Sequence, residues 1–404
     1  MIRCGAYGFR VTDAHHPHGR PVRSDAADGP RSAVHPHART SEAGDLSSEL
    51  SVWLDLLRTL AALVVVLGHA GNLRFTDGDL GWVRSWTLAP DAVVVFFVVS
   101  GLVIGRAAAR DRTWGTYAFN RLTRLLGVVA PALLLTLLLD AVGRAIDPGA
   151  YPPRHYTALP IVEFLVRGLT FLQQWRGAGA PVQLGSNAPL WSLSFEAAYY
   201  VLLGTALFLS GWVRVAALAA LGWLFGLSIL LLLPTWLAGL GVWHAIRSGR
   251  VPRRRAVALP LAILPIAALV AAKLSHVDEA LLRATPDWLG PIRHVHVFDF
   301  GQEVLWNGLI ALALALHLLG MARVAPSLGG AAIRAIRWWA GASFSIYVMH
   351  YPVMHLMDAG LPEDVPGKAA LFVVLPIALC LPFAAAFERT LPQLRRMVAR
   401  ANRR

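Results

Sequence analysis

The chain has 404 residues, of which 56% are hydrophobic and only 15% are charged. A soluble domain carries about a quarter charged residues, so the composition excludes an ordinary soluble protein and favours a polytopic membrane protein with one helical domain. The net charge of +13 is explained more simply by arginine-rich cytoplasmic loops than by nucleic-acid binding, so no nucleic-acid partner is expected. The two cysteines, Cys4 and Cys380, indicate neither a disulfide framework nor a cysteine-based metal site.

Residues 1–50 differ from the rest of the chain because they are polar, rich in histidine and arginine, and without periodicity. Such a segment cannot bury enough apolar surface to fold alone, so a disordered tail is predicted. A metal-binding tail is the alternative. The remaining residues divide into a membrane domain at 51–390 and a basic cytoplasmic tail at 391–404.

Ten apolar runs follow the tail and predict an all-α bundle of transmembrane helices. Between the third and fourth runs, the stretch 155–176 is only moderately apolar and carries charges, which indicates an interfacial or re-entrant segment. The ten predicted spans lie at about 52–71, 88–106, 122–142, 190–209, 212–231, 233–247, 256–273, 301–320, 337–356 and 368–388.

Lysines and arginines are distributed unequally between the two sides that ten spans create. If the N-terminus is inside, the inside segments carry 26 of them and the outside segments carry 10. Because these residues accumulate on the cytoplasmic side, both termini are predicted to be cytoplasmic. The expected location is the inner, cytoplasmic membrane, with the lipid bilayer as surrounding partner.

The first span contains two ionisable residues, Arg58 and His69, which are eleven positions apart. Eleven residues make almost three helical turns, so both side chains are predicted on one face, about 16 Å apart along the axis. Ionisable groups in a membrane segment usually face a bundle interior or a water-filled cavity. Two alternatives are an Arg58–Asp55 ion pair with His69 as an interhelical hydrogen-bonding group, and the polar lining of a transporter.

Further polar groups recur in the other spans. The second contains Ser100 in "FFVVSGLVIGR", and the third opens with "FNRLTRLLG", in which Arg121 and Arg124 are neighbours on one helix face. The fourth opens with "PLWSLSFEAAYYVL", which places Glu196 in an apolar run, and the ninth contains "SFSIYVMHYPVMH".

This set of motifs, in this order over roughly 50–390, resembles the integral-membrane acyltransferase 3 family. Each motif alone is weak, whereas five in order are specific. Two departures from the family pattern are Ala197, where a second carboxylate is common, and Leu102, where phenylalanine is usual. The matching positions are Arg58 with His69, Arg121 with Arg124, Phe96 to Ile104, Pro189 to Glu196, and Ser343 to His350.

The resemblance implies an acyltransferase of groups other than amino-acyl groups. It would move an acyl group, with acetyl favoured, from acyl-coenzyme A to a hydroxyl of a sugar-containing acceptor such as a surface polysaccharide, lipid-linked glycan or glycosylated metabolite. A sugar hydroxyl needs a base, and His69 is the candidate because histidine titrates near working pH. Direct transfer and an acyl-histidine intermediate both remain open.

The other roles also follow from the resemblance. Arg58 is predicted to hold the donor or orient its thioester carbonyl, and Glu196 to orient His69 or bind a sugar hydroxyl, with a partnership to a buried arginine as the alternative. Arg121 and Arg124 are predicted to bind the phosphates of coenzyme A, since guanidinium suits bidentate phosphate contacts, although ordinary positive-inside arginines are the alternative. The predicted substrate-binding residues are Ser100, Trp191, Ser192, Tyr347 and His350.

The segment before the fourth span is expected to contact a sugar-like acceptor through Trp175, Gln183, Ser186 and Asn187. No permanently bound cofactor or metal is predicted, because His294, His296, Asp299 and Glu303 fit a hydrated rim better than a metal site. His317 is predicted to be structural, and His355 to lie at the membrane interface. The competing function is a carrier or flippase for a lipid-linked sugar, which also needs many spans and intramembrane charge but no thioester-binding arginines.

Overall fold

The computed structural model describes residues 45–289 and 303–390, which belong to one compact unit. Within these ranges the chain forms α-helices, short 3₁₀ turns and a π-helical turn at Ala384–Glu388, without a β-strand, which confirms the predicted all-α bundle. Most of the predicted N-terminal tail and the tail at 391–404 lie outside the described residues, as do His294, His296 and Asp299.

All ten predicted spans correspond to helices, although several boundaries differ. The helices are α1 (Ser48–Ala70), α4 (Leu88–Ala108), α5 (Trp114–Ile146), α7 (Trp191–Phe208), α8 (Gly211–Phe225), α9 (Leu227–Arg247), α10 (Arg255–Leu274), α12 (Val304–Val324), α14 (Ser343–Gly360) and α15 (Lys368–Phe383).

Five further helices connect these elements within the described ranges. They are α2 (Leu73–Thr76), α3 (Gly81–Ser85), α6 (Ile161–Thr170), α11 (Val277–Leu289) and α13 (Gly330–Ala340). The ten residues of α6 rise only about 15 Å, too little to cross the hydrocarbon core. This length agrees with the predicted interfacial or re-entrant segment.

Among residues 45–289 and 303–390, eight helices are long and apolar enough to cross a membrane, which supports a multi-pass membrane protein. The helix α8 has 15 residues and rises about 22 Å, so it is short for a span. The helix α14 is also not among the eight helices that meet both the length and the hydropathy requirement. It is buried inside the bundle at thirteen of its eighteen positions, so its side chains contact protein and need not be uniformly apolar.

Two boundaries were wrong for identifiable backbone reasons. The break between the fifth and sixth spans was predicted at 232, but it lies at Gly226, whose φ of 89° ends α8. Pro234 lies inside α9 instead of separating two helices. The predicted ninth span began at 337, whereas α13 ends at Ala340 and a new helix begins at Ser343.

The helix α5 is also longer than predicted, with 33 residues against a predicted span at 122–142. It begins at Trp114 because the Thr113 side chain accepts a hydrogen bond from the Thr116 amide and caps the helix. Arg121 therefore lies about two turns inside the helix and Arg124 almost three, and neither is at its first residues.

The proximal end of the bundle is defined here as the end at which α1 begins. There the start of α1 meets the end of α4, because Asp45 pairs with Arg106. The π-helical turn that continues α15 meets the start of α14, because its last residue, Glu388, accepts a hydrogen bond from the Ser345 amide at 2.8 Å.

The distal end is the end at which α1 finishes. Arg74 of α2 pairs there with Asp358 near the end of α14, and Lys273 near the end of α10 pairs with Asp91 near the start of α4. This alternation of starts and ends agrees with the predicted order of spans. The cytoplasmic orientation of the proximal end remains a prediction from the arginine distribution.

The helices α4 and α9 approach so closely that only glycine fits at the crossing. A Cβ atom added to Gly101 would lie 2.0 Å from the Trp236 carbonyl oxygen, and one added to Gly239 would lie 1.8 Å from the Val98 carbonyl oxygen. The glycine of the "SG" motif thus has a packing role. It brings Ser100 next to α9, where Trp236 Nε1 donates to Ser100 Oγ at 3.3 Å.

Candidate active site

A cavity of about 610 Å³ lies between α1, α4, α5, α7 and α14. It extends from Leu46 and Arg106 near the proximal end to Val93 and Tyr347 deeper in the bundle. Arg106 and Val93 are thirteen residues apart on α4, so the cavity is about 20 Å deep. Its polar lining consists of Ser51, Asp55, Arg58, Ser100, Arg106, Arg124, Ser192, Glu196, Ser343, Tyr347 and Glu388.

Arg58 is held at the wall of this cavity by two interactions. Its Nη2 donates to the Ala340 carbonyl oxygen, and its Nε lies 3.5 Å from Asp55 Oδ1. The ion pair with Asp55, which the sequence offered as part of an alternative interpretation, is therefore present. It does not bury the arginine away from the cavity, because Arg58 remains among the lining residues.

Glu196 is held by hydroxyl groups and not by a histidine. It accepts hydrogen bonds from Ser100 Oγ at 2.6 Å and from the Tyr200 hydroxyl one helical turn further on. The structure places no His69 contact at this carboxylate, so its expected role in orienting His69 has no direct geometric basis. Glu196 faces the cavity, where Arg124 interacts electrostatically with it.

The two arginines of α5 have different surroundings. Arg124 lines the cavity, whereas Arg121 does not. Arg121 Nη2 lies 3.1 Å from Asp111 Oδ2, and these side chains are only 8% and 5% exposed. The Arg121 guanidinium also lies 5.3 Å from the centre of the Tyr117 ring. Arg124 is thus the better placed of the two to contact a ligand in the cavity.

His69 lies near the distal end of α1 and does not line the cavity. Its ring centre is 5.2 Å from that of His350 and 4.6 Å from that of Tyr351, and its side chain is half-buried. His350 Nδ1 lies 2.9 Å from the Ile346 carbonyl oxygen, and it must carry the proton to donate to it. In the neutral ring, His350 Nε2 then carries a lone pair, and this buried atom has no hydrogen-bond partner.

Tyr347 connects the cavity to this histidine pair. Its ring centre lies 5.2 Å from that of Phe96 and 6.4 Å from that of His350. Its hydroxyl lies 2.6 Å from Ser192 Oγ and donates to the Pro189 carbonyl oxygen at 3.1 Å. Tyr347 and then His350 are therefore the neighbouring rings that lie between the cavity and His69.

The remaining predicted substrate residues differ in their placement. Ser100, Ser192 and Tyr347 line the cavity, whereas His350 lies beyond it. Trp191 lies outside the lining and packs its ring against Phe195, 5.1 Å between centres.

The segment before α7 uses its polar groups to attach itself to the bundle. Ser186 Oγ donates to Asp140 of α5, and Asn187 Nδ2 donates to the Val348 carbonyl oxygen of α14. Trp175 and Gln183 likewise donate to backbone carbonyl oxygens. The residues expected to contact an acceptor thus have structural partners.

Two other histidines can be compared with their predictions. His317 accepts a hydrogen bond from Trp53 Nε1 at 2.9 Å and its Nδ1 lies 2.6 Å from the Ala262 carbonyl oxygen, which makes it a structural bridge as expected. His355 was expected at the membrane interface, but it is fully buried and its ring packs against Tyr351.

Sequence reasoning missed several neighbours of the site. Tyr200 is four residues after Glu196, so helical spacing alone could have indicated their contact. Tyr351 directly follows His350, so its place in the quoted motif could also have indicated it. Glu388 and Trp236 approach from distant parts of the chain, and no local pattern signals them. In the described ranges, no group of three or more histidine, cysteine, aspartate or glutamate side chains could hold a metal ion.

Comparison with known proteins agrees with the motifs. No curated protein and no solved structure matches the chain. A family model described as an acyltransferase domain matches residues 51–387, which is more than four fifths of the chain and includes the helices that line the cavity. The chain therefore belongs to the acyltransferase 3 family and is a membrane acyltransferase.

Proposed function

We propose that this acyltransferase moves an acyl group, acetyl in the simplest case, from acyl-coenzyme A to a hydroxyl of a sugar-containing acceptor. The observation that carries the proposal is the cavity with Arg58 and Arg124 on its wall, followed by Tyr347, His350 and His69 toward the distal end. The cavity supplies a binding volume for a donor, and the histidine pair supplies a base.

The arginines of the cavity suit the polyanionic part of the donor. Arg58, Arg106 and Arg124 all line the cavity, and guanidinium groups bind phosphate oxygens through paired N–H donors. The apolar residues of α4, among them Phe96 and Phe97, suit the uncharged pantetheine arm and acyl chain. We therefore expect the thioester to point toward Tyr347.

His69 would act as the general base. As the acceptor oxygen forms a bond to the thioester carbonyl carbon, a His69 nitrogen takes the hydroxyl proton. The carbon–sulfur bond then breaks, and the proton passes to the leaving sulfur to give coenzyme A. His350 Nε2 offers a lone pair that could accept the other N–H of His69, which would hold the ring with its basic nitrogen toward the acceptor.

The two substrates would arrive from opposite ends. The arginine-lined cavity extends from the proximal end, whereas His69 lies at the distal end of α1. Passage of the thioester past Tyr347 would bring the acyl group to the histidine pair while the phosphates stay at the proximal end. With the proximal end cytoplasmic, the acyl group would cross the membrane through the protein and coenzyme A would stay inside.

The proposal is tested with the purified full chain in proteoliposomes, radiolabelled acetyl-coenzyme A and a lipid and glycan extract of the cell envelope from the strain that carries the gene. We expect alkali-labile label, as an ester gives, in the extract. We expect none with a His69→Ala variant that inserts normally. Transport of a lipid-linked sugar without label transfer would instead support a carrier, and equal label transfer by His69→Ala would exclude His69 as the base.

A further inference from the structure

Two arginines at the proximal end of α4 hold one carboxylate between them. Arg106 Nε lies 2.5 Å from Asp45 Oδ1, and Arg106 Nη2 lies 2.9 Å from Asp45 Oδ2, so this contact is bidentate. Arg110, about one turn further along, donates through Nη2 to Asp45 Oδ2 at 2.8 Å. The guanidinium fork matches carboxylate and phosphate alike. The cluster is an anion site that a side chain of the protein itself fills.

This cluster adjoins the cavity. Arg106 and Leu46, the residue after Asp45, both line it. Arg106 is six residues, about 9 Å along α4, from Ser100, the residue that donates to Glu196. The site is also accessible, because the Arg110 side chain is 63% exposed and that of Asp45 is 32% exposed. An anion bound here would lie at the proximal edge of the same cavity.

The charges of the cluster do not balance. Two guanidinium groups face a single carboxylate, whereas a phosphate monoester carries about 1.5 to 2 negative charges and three acceptor oxygens at neutral pH. The hydrogen bond from Arg106 lowers the pKa of Asp45 to about 2, against the opposing effect of burial. Asp45 is therefore ionised at physiological pH and occupies the arginines as an anion.

We propose that Arg106 and Arg110 bind a phosphate monoester group of the donor, and that Asp45 occupies this site as a tethered competitor when the donor is absent. The inference rests on the proposed function, because it assigns the phosphate end of the same donor. Binding of the donor then requires Asp45, two residues before the Ser47 cap of α1, to leave the arginines.

The test compares coenzyme A with dephospho-coenzyme A, which lacks the 3′-phosphate monoester, in equilibrium binding to the full chain in nanodiscs. Wild-type protein should prefer coenzyme A. Arg106→Gln and Arg110→Gln should each weaken coenzyme A binding roughly ten- to a hundredfold and leave dephospho-coenzyme A binding nearly unchanged. Asp45→Asn should strengthen coenzyme A binding several-fold. Arg112→Gln, at an exposed arginine two residues beyond Arg110, is the matched control and should match wild type.

The results separate this inference from the proposed function. If wild type and the arginine variants all bind coenzyme A and dephospho-coenzyme A equally well, the phosphate site is overturned but the donor assignment stays in place. Equal losses for both ligands, or weaker coenzyme A binding in Asp45→Asn, would also overturn it. Failure of wild-type protein to bind either ligand would contradict the donor assignment itself. Retained dephospho-coenzyme A binding shows that a variant is folded.

Discussion

The two arginines of α5 should respond differently to the same substitution, although they are only three residues apart. Arg124 lines the cavity, so Arg124→Gln should weaken donor binding while the fold persists. A hydrogen bond to a charged group contributes about 1.5–3 kcal/mol, which corresponds to roughly a ten- to hundredfold increase in the donor KM.

Arg121→Gln should instead destabilise the protein. Arg121 pairs with Asp111, whose side chain is only 5% exposed, so the substitution leaves a nearly buried carboxylate without its cation. Breaking a buried ion pair by removing one partner costs about 3–5 kcal/mol. Asn120 Nδ2 still donates to Asp111 at 2.7 Å, so we expect a value near the lower limit. The double variant Asp111→Asn/Arg121→Gln should recover part of this loss, because no unpaired charge remains.

The assay has two readouts for each variant. Thermal unfolding in detergent reports stability, and acetyl-coenzyme A dependence in proteoliposomes reports the donor KM of the folded protein. For Arg124→Gln we expect a raised donor KM and an unchanged unfolding temperature. For Arg121→Gln we expect a lowered unfolding temperature and an unchanged donor KM. A large donor KM increase in stably folded Arg121→Gln would refute this division and restore both arginines as donor contacts.

The remaining predictions concern packing, the histidine pair and pH. Gly239→Ala should lower the unfolding temperature, because the added Cβ would meet the Val98 carbonyl oxygen at a cost of about 1–3 kcal/mol. Gly241→Ala, on the same helix, is the control and should leave the unfolding temperature unchanged, because its Cβ would meet open space. Equal shifts in the two variants would contradict the close α4–α9 crossing. His350→Phe should lower kcat about tenfold with little change in the donor KM, because it removes the Nε2 lone pair that we propose orients His69. An unchanged kcat would show that His350 does not orient His69. The pKa of Asp45 in the folded protein is depressed to about 2, so its ionised form stabilises the fold above the unfolded-state pKa, and this stabilisation is lost as the pH falls toward 2. Asp45 therefore stays ionised between about pH 5 and pH 8. Over this range the ratio of the coenzyme A affinity of Asp45→Asn to that of wild type should stay constant. A ratio that approaches one near pH 5 would show that Asp45 is protonated there.

Much of the fold was predictable because apolar runs report membrane spans directly. The errors arose where backbone or burial decided the outcome. Gly226 ended α8 through a positive φ, and Thr113 extended α5 by capping it earlier. The helix α14 contains polar residues because it lies inside the bundle, and its burial depends on contacts with other helices that its own sequence does not reveal.

The candidate site was predictable in part. Motif order identified Arg58, Ser100, Ser192, Glu196 and Tyr347, which the structure brings to one cavity. Helical spacing placed Arg58 and His69 on one face, yet only the structure shows that Tyr347 and His350 lie between the cavity and His69.

Local spacing could not separate Arg121 from Arg124, because their difference depends on Asp111 in the preceding loop. It also could not find the Asp45 contact, which joins residues 61 positions apart. Both results depend on contacts between a helix residue and a residue outside that helix.

The most direct test of the account is the sidedness of the reaction. Acetyl-coenzyme A is sealed inside proteoliposomes in which the proximal end faces the lumen, and the acceptor extract is supplied only outside. We expect labelled ester outside and free coenzyme A retained inside, and neither product with His69→Ala. Product that forms only when the acceptor reaches the proximal side would contradict passage of the acyl group from the cavity to His69 at the distal end.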